Sequence, residues 1–107
     1  MRLITIVLLL SLVPIFGIGQ HTISGKIVDE LGLPVYLASV QIEETETITY
    51  TDFDGSFTLK SDRKFHWKIK INSQGYKPET YFVLSGGRTG DIVIEYDDAM
   101  RELLGVN

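Results

Sequence analysis

The chain has 107 residues, 44% of them hydrophobic, no cysteine, and 14 acidic against 10 basic residues for a net charge of −4. That length allows one domain at most. The acidic balance disfavours nucleic-acid partners, and the missing cysteine excludes disulfide staples and the lipid-bearing cysteine of a bacterial lipoprotein.

Arg2 supplies a positive start, and residues 3–16 are apolar except for Thr5, Ser11 and Pro14. Gly17-Ile-Gly19 follows with the small residues a signal peptidase requires, so residues 1–19 are predicted to be a secretory signal peptide. Retention as a membrane anchor is the alternative. Pro14, Gly17 and Gly19 crowd the end of the apolar run, which falls short of the ~20 residues a span needs. Cleavage after Gly19 leaves 88 residues with nine Lys plus Arg against fourteen Asp plus Glu, a net charge of −5.

From residue 22 the pattern is one of short strands. Ile23, Gly25 and Ile27 alternate with Thr22, Ser24 and Lys26. Asp29-Glu-Leu-Gly-Leu-Pro34 is turn chemistry, since Gly32 accepts positive φ and Pro34 cannot occupy an interior strand position. Ala38, Val40 and Ile42 then point inward. Residues 45–51 are rich in Thr, with Ile48 and Tyr50 as apolar partners, and read as an edge strand. Such an edge is able to pair with a partner's strand, while Glu43, Glu44 and Glu46 before it serve to guard it.

Asp52-Phe-Asp-Gly55 predicts a tight hairpin, after which Phe57 and Leu59 point inward. Residues 61–64 turn again. Phe65, Trp67, Ile69 and Ile71 form the strongest alternation and mark a central strand, with Lys68 and Lys70 on its wet face. Gln74-Gly-Tyr-Lys-Pro78 is a further turn, followed by an apolar strand through Tyr81-Phe-Val-Leu84. Residues 85–90 read as a flexible loop, and Ile92, Ile94 and Tyr96 close the pattern.

Seven strands without an intervening helix predict an all-β sandwich spanning residues 20–96. Its expected core is Ile23, Ile27, Val40, Ile42, Phe57, Leu59, Trp67, Ile69, Ile71, Phe82, Ile92 and Ile94. Residues 97–107 form a tail in which Met100, Leu103 and Leu104 have helical spacing and Gly105 supplies a stop. This predicts a short helical turn, either packed on the sandwich or frayed.

Catalytic groups are sparse. His21 and His66 are the only histidines, and neither stands in a His-x-x-Glu arrangement suited to a catalytic zinc. A Gly-x-Ser-x-Gly nucleophile elbow is absent. Asp52 and Asp54 imitate the opening of a calcium loop, but Arg63 stands where a closing bidentate Glu belongs. A simple turn explains both aspartates, with weak calcium binding as the alternative. No catalytic, metal or cofactor-binding residue is therefore assigned. Tyr36, Tyr76 and Tyr81, with Phe53 at a turn tip, are candidate aromatic platforms for a glycan or peptide.

Ser24-Gly-Lys-Ile-Val28, Gly32-Leu-Pro34, Ala38-Ser-Val40, Thr51-Asp-Phe-Asp-Gly-Ser-Phe57 and Gly75-Tyr-Lys77 follow one another in an order that resembles the carboxypeptidase regulatory-like family. The resemblance covers residues 22–84 and extends more loosely to 96. It implies a transthyretin-like Greek-key sandwich acting as an accessory module, as found beside metallocarboxypeptidase domains and ahead of the plug of TonB-dependent receptors in Bacteroidetes-type bacteria. The chain ends soon after its last predicted strand, so no plug, barrel or peptidase domain is expected. Transthyretin-like hydroxyisourate hydrolases share the architecture, but their His and Arg cluster and C-terminal Tyr-Arg-Gly-Ser are missing here.

The expectation is a non-enzymatic, exported module of the periplasm or outer membrane, or of the medium, that presents loops or a sheet edge to an envelope protein partner. The alternative is a carbohydrate- or peptide-binding subunit, a piece of a larger receptor or hydrolase system. An exposed, co-planar set of aromatic side chains on one sheet face would favour it.

Overall fold

The computed structural model describes residues 19–105, so the signal peptide expected over residues 1–19 lies outside it but for Gly19. The strands are β1 (His21–Val28), β2 (Ser39–Ile42), β3 (Ile48–Tyr50), β4 (Ser56–Ser61), β5 (Trp67–Asn72), β6 (Glu79–Val83) and β7 (Gly87–Val93), followed by helix α1 (Asp98–Leu104). They form two sheets, ordered β4-β1-β7 and β3-β2-β5-β6. After the β2–β3 hairpin the chain crosses to the other sheet for β4 and returns with β5 beside β2, in the Greek-key manner. β7 runs parallel to β1; the other paired strands are antiparallel. Among the described residues no helix is long and apolar enough to cross a membrane.

Period-two alternation decides which side chains meet between the sheets. Ile23 and Ile27 of β1, Phe57 and Leu59 of β4, Val40 and Ile42 of β2, and Trp67, Ile69 and Ile71 of β5 are all buried. Ile92 and Ile94 join them, together with Ala38, which was also expected to point inward, and with Val35 and Val83 from positions outside the expected core. Trp67 is 1% exposed, and its indole Nε1–H donates to the Arg63 carbonyl at 3.0 Å.

Phe82 is a correction. It was expected in the core, yet it is 63% exposed while Val83 is buried. β6 pairs Phe82 with Lys68 on the wet face of the sheet and Val83 with Trp67 on the dry one. Residues 81–84 are apolar without alternation, so their sequence carries no phase, and a slip of one residue exchanges the two faces.

Residues 85–90 are a second correction, because β7 already begins at Gly87. Pairing with β1 is made by main chain and does not require the alternating side chains on which strand prediction rests. Ile94 and Tyr96 lie beyond the strand but remain buried. The edge strand is shorter than residues 45–51, and Thr49 sits opposite Val40 while Ile48 and Tyr50 face solvent.

Helix α1 is packed on the sandwich. Asp97 caps it by accepting from the Met100 N–H at 2.8 Å, and Gly105 ends it in left-handed backbone with φ 69°. Met100 rests on Gly75, where any Cβ would collide with its terminal methyl. Arg101 reaches back to an ion pair with Glu30.

Candidate interaction surface

The loop joining β1 to β2 and the turn at Asp52–Gly55 meet at one end of the sandwich. That turn was expected to close a hairpin, but it carries the chain from β3 to β4 in the other sheet, so the two strands do not pair. Asp52 builds the tip: its Oδ1 accepts from the N–H groups of Asp54 at 2.9 Å and Ser56 at 3.0 Å. Gly55 has φ 75°, and a Cβ there would run into the Ile27 carbonyl oxygen at 2.5 Å, so only glycine fits. Ile27 N–H donates to Gly55 at 2.8 Å, and Val35 N–H donates to Ile27 at 3.0 Å, stitching tip and loop to β1.

Thr51, 2% exposed, joins the two segments. Its hydroxyl donates to the Val35 carbonyl at 2.6 Å and accepts from Ala38 N–H at 2.9 Å. Its backbone exchanges two further bonds, from Leu37 N–H at 3.2 Å and to the Ala38 carbonyl at 3.0 Å. The clamp holds Leu37 in left-handed backbone, φ 58°, which costs a residue with a branched side chain about 1–2 kcal/mol.

What this framework displays is apolar. Tyr36 and Phe53 stack at 4.2 Å between ring centres with planes 14° apart. Phe53 is 77% exposed, and Leu31, Leu33 and Leu37 of the same loop are each more than half exposed. Five large apolar side chains, Leu31, Leu33, Tyr36, Leu37 and Phe53, are thus left exposed on this rigid loop pair.

Behind the patch lies a buried carboxylate. Asp29 Oδ1 accepts from the N–H groups of Leu31 and Leu33, both at 2.9 Å, and Oδ2 accepts from the Tyr96 hydroxyl at 3.1 Å. Burial raises the Tyr96 phenol above its ordinary value, and the hydrogen bond and negative charge of Asp29 push the same way. Tyr76, whose ring lies 5.5 Å from that of Tyr96, is raised by burial and then by Asp29. The β1–β2 loop and the segment between β7 and α1 are thereby tied around one acid.

Of the four candidate aromatics, Tyr36 and Phe53 come together, whereas Tyr76 and Tyr81 are partly buried against the core. The histidines are separate: His21 packs on Phe65 at 4.9 Å and His66 is exposed. No group of three or more potential metal ligands occurs among the described residues. Asp52 has the turn role that its sequence suggests. On the outer face of the larger sheet, Tyr50 and Phe82 stand on the two outermost strands, with β2 and β5 between them, and Lys68 lies 5.9 Å over the Phe82 ring. Lys68 also pairs with Glu43 at 3.1 Å, close to the β3 edge.

Leu31, Leu33 and Leu37 escaped the sequence reading as surface residues, as did Thr51 and Asp29 as the groups that hold them. The available signal was three leucines inside a stretch otherwise made of turn residues.

The family model described as CarboxypepD_reg-like domain matches residues 23–106. No curated protein matches the chain. Among solved structures, a chain of a type II cohesin–X–dockerin complex from Acetivibrio cellulolyticus superposes with TM-score 0.62 at 20% identity, covering 73% of this chain and 59% of that one. Hydroxyquinol 1,2-dioxygenase from Pseudomonas putida DLL-E4 gives TM-score 0.59 at 11% identity, covering 73% and 57%. 3-Chlorocatechol 1,2-dioxygenase from Rhodococcus opacus gives 0.54 at 13%, covering 73% and 60%. At these identities the likeness is one of fold, and this chain spans less than two thirds of each of those chains.

Proposed function

This chain belongs to the CarboxypepD_reg-like domain family, and from that premise we propose that it is a non-enzymatic interaction module that docks a protein partner through the leucine and aromatic tip. The observation that carries the proposal is the stacked Tyr36–Phe53 pair among exposed leucines, held rigid by Thr51 and Asp52. A preformed apolar tip loses little conformational freedom on binding, so more of its contact energy appears as affinity. The strained backbone of Leu37 supports the same reading, since strain with an exposed side chain is retained where the side chain serves contact rather than packing. A fold shared with a chain of a protein–protein complex is in keeping with it.

In this reading the module acts outside the cytoplasm, in the periplasm or at the outer membrane, an address supported by the signal-peptide pattern in the sequence of residues 1–19. Glycan binding through an aromatic face has weaker support. Trp67 and Tyr96 are buried, and the two exposed rings of the larger sheet are separated by two intervening strands.

The test places a photo-crosslinking residue at Phe53, and separately at Thr58 on the sheet face, in cells expressing the full chain. A discrete protein adduct from position 53, missing from position 58 and lost with Leu37→Ser, supports docking through the tip. Equal adducts at both positions, or none at 53, refute it.

A further inference from the structure

The pairing of β1 with β7 contains an irregularity. Ser24 lies opposite Arg88 and Lys26 opposite Asp91, so Gly25 alone spans the interval that Thr89 and Gly90 fill on β7. This is a β-bulge of two residues against one. Arg88 and Asp91 are three residues apart and would face opposite ways in a regular strand. The bulge turns both outward, beside Ser24 and Lys26. Gly90 takes φ 81°, and Thr89 leans toward Gly25, where any Cβ would collide with its hydroxyl.

β4 completes the surface. Ser56 pairs with Lys26, and Thr58 pairs with Ser24. Ser24, Lys26, Ser56, Thr58, Arg88 and Asp91 thus form a grid of two rows on the outer face of the smaller sheet, around a depression of about 370 Å³. Three are hydroxyls, two are cations and one is a carboxylate. The ion pairs of the described residues join Lys68 to Glu43, Lys77 to Glu95 and Arg101 to Glu30, so both cations of the grid and its acid are unpaired. Two cations thus line the depression against the single carboxylate of Asp91, which leaves it an excess of positive charge on a net acidic protein.

We propose that this depression binds an acidic saccharide, a sugar bearing a phosphate or a carboxylate. Lys26 and Arg88 pair with the acid group through charge-assisted hydrogen bonds. Asp91 accepts from a sugar hydroxyl, and the serine and threonine hydroxyls both donate and accept along the ring. Aromatic side chains are missing from the outward-facing grid, so nothing stacks on a nucleobase, and hydroxyl recognition distinguishes the ligand from a bare oxyanion. The site lies on the sheet face and does not depend on partner docking at the loop tip.

The experiment is calorimetric titration of the purified full chain with glucose 1-phosphate, glucuronate, glucose and inorganic phosphate. At least one acidic sugar binds, with glucose and inorganic phosphate weaker by about tenfold or more. Lys26→Gln and Arg88→Gln each weaken binding about tenfold, the worth of one charge-assisted hydrogen bond. Gly25→Ala weakens it as well without altering any charge, because it displaces Thr89 and with it the bulge. Should Gly25→Ala not fold, as seen by circular dichroism, the two glutamine variants still decide the matter. Binding of neither acidic sugar, affinity for inorganic phosphate equal to that for the sugars, or unchanged affinity in both glutamine variants overturns the proposal.

Discussion

Replacing Thr51 with Val tests the account of how the tip is held. Valine keeps the shape and removes the hydroxyl, so the buried Val35 carbonyl loses its donor and the Ala38 N–H its acceptor. An unpartnered buried group costs about 1–3 kcal/mol, so the two together place the variant roughly 2–6 kcal/mol below the parent. In a domain whose total stability is on the order of 5–15 kcal/mol that is a large fraction. Guanidinium unfolding followed by the fluorescence of Trp67, the single tryptophan, measures it directly. At about 4–8 °C per kcal/mol the melting temperature falls by at least roughly 8 °C. Thr51→Ser keeps the hydroxyl and loses one methyl, so its cost stays near 1 kcal/mol. An unchanged midpoint for Thr51→Val, or a serine variant as damaged as the valine variant, would refute the clamp.

Leu37→Gly relieves the left-handed strain at the expense of chain entropy, so stability rises by about 0.5–1 kcal/mol in the same unfolding assay while crosslinking at position 53 declines. Phe53→Ala removes one stacked ring and costs at most about 1.5 kcal/mol of stability, yet it abolishes partner capture in a pull-down. Phe82→Ser shifts the unfolding midpoint by less than about 1 kcal/mol because the side chain already faces water, whereas Ile69→Ala in the neighbouring strand costs about 2–5 kcal/mol. Tyr76 and Tyr96 hold their phenolic protons more tightly folded than unfolded. Their contribution is therefore complete below the ordinary tyrosine value of about 10 and is lost as pH rises through the folded values. Urea midpoints measured from about pH 9 upward decline, and Tyr96→Phe flattens that decline.

The sandwich was legible in period-two alternation: eleven of the twelve residues expected in the core are buried where it places them, and Gly, Pro and Asp mark the turns. Asp52 and Gly55 were legible for the same reason: their turn is closed by atoms only a few residues apart. Phase was lost where alternation was lost, at Phe82, and β7 was obscured because main-chain pairing to β1 leaves no side-chain signature. Both surfaces depend on neighbours distant along the chain. Tyr36 stacks on Phe53 across 17 positions, and Thr51 reaches back 16 to Val35. Arg88 and Asp91 share a face only because a bulge opposite Gly25 reverses the alternation. Local patterning specifies which residues turn inward, since burial repeats every second residue. Only the pairing of strands decides which outward residues stand side by side.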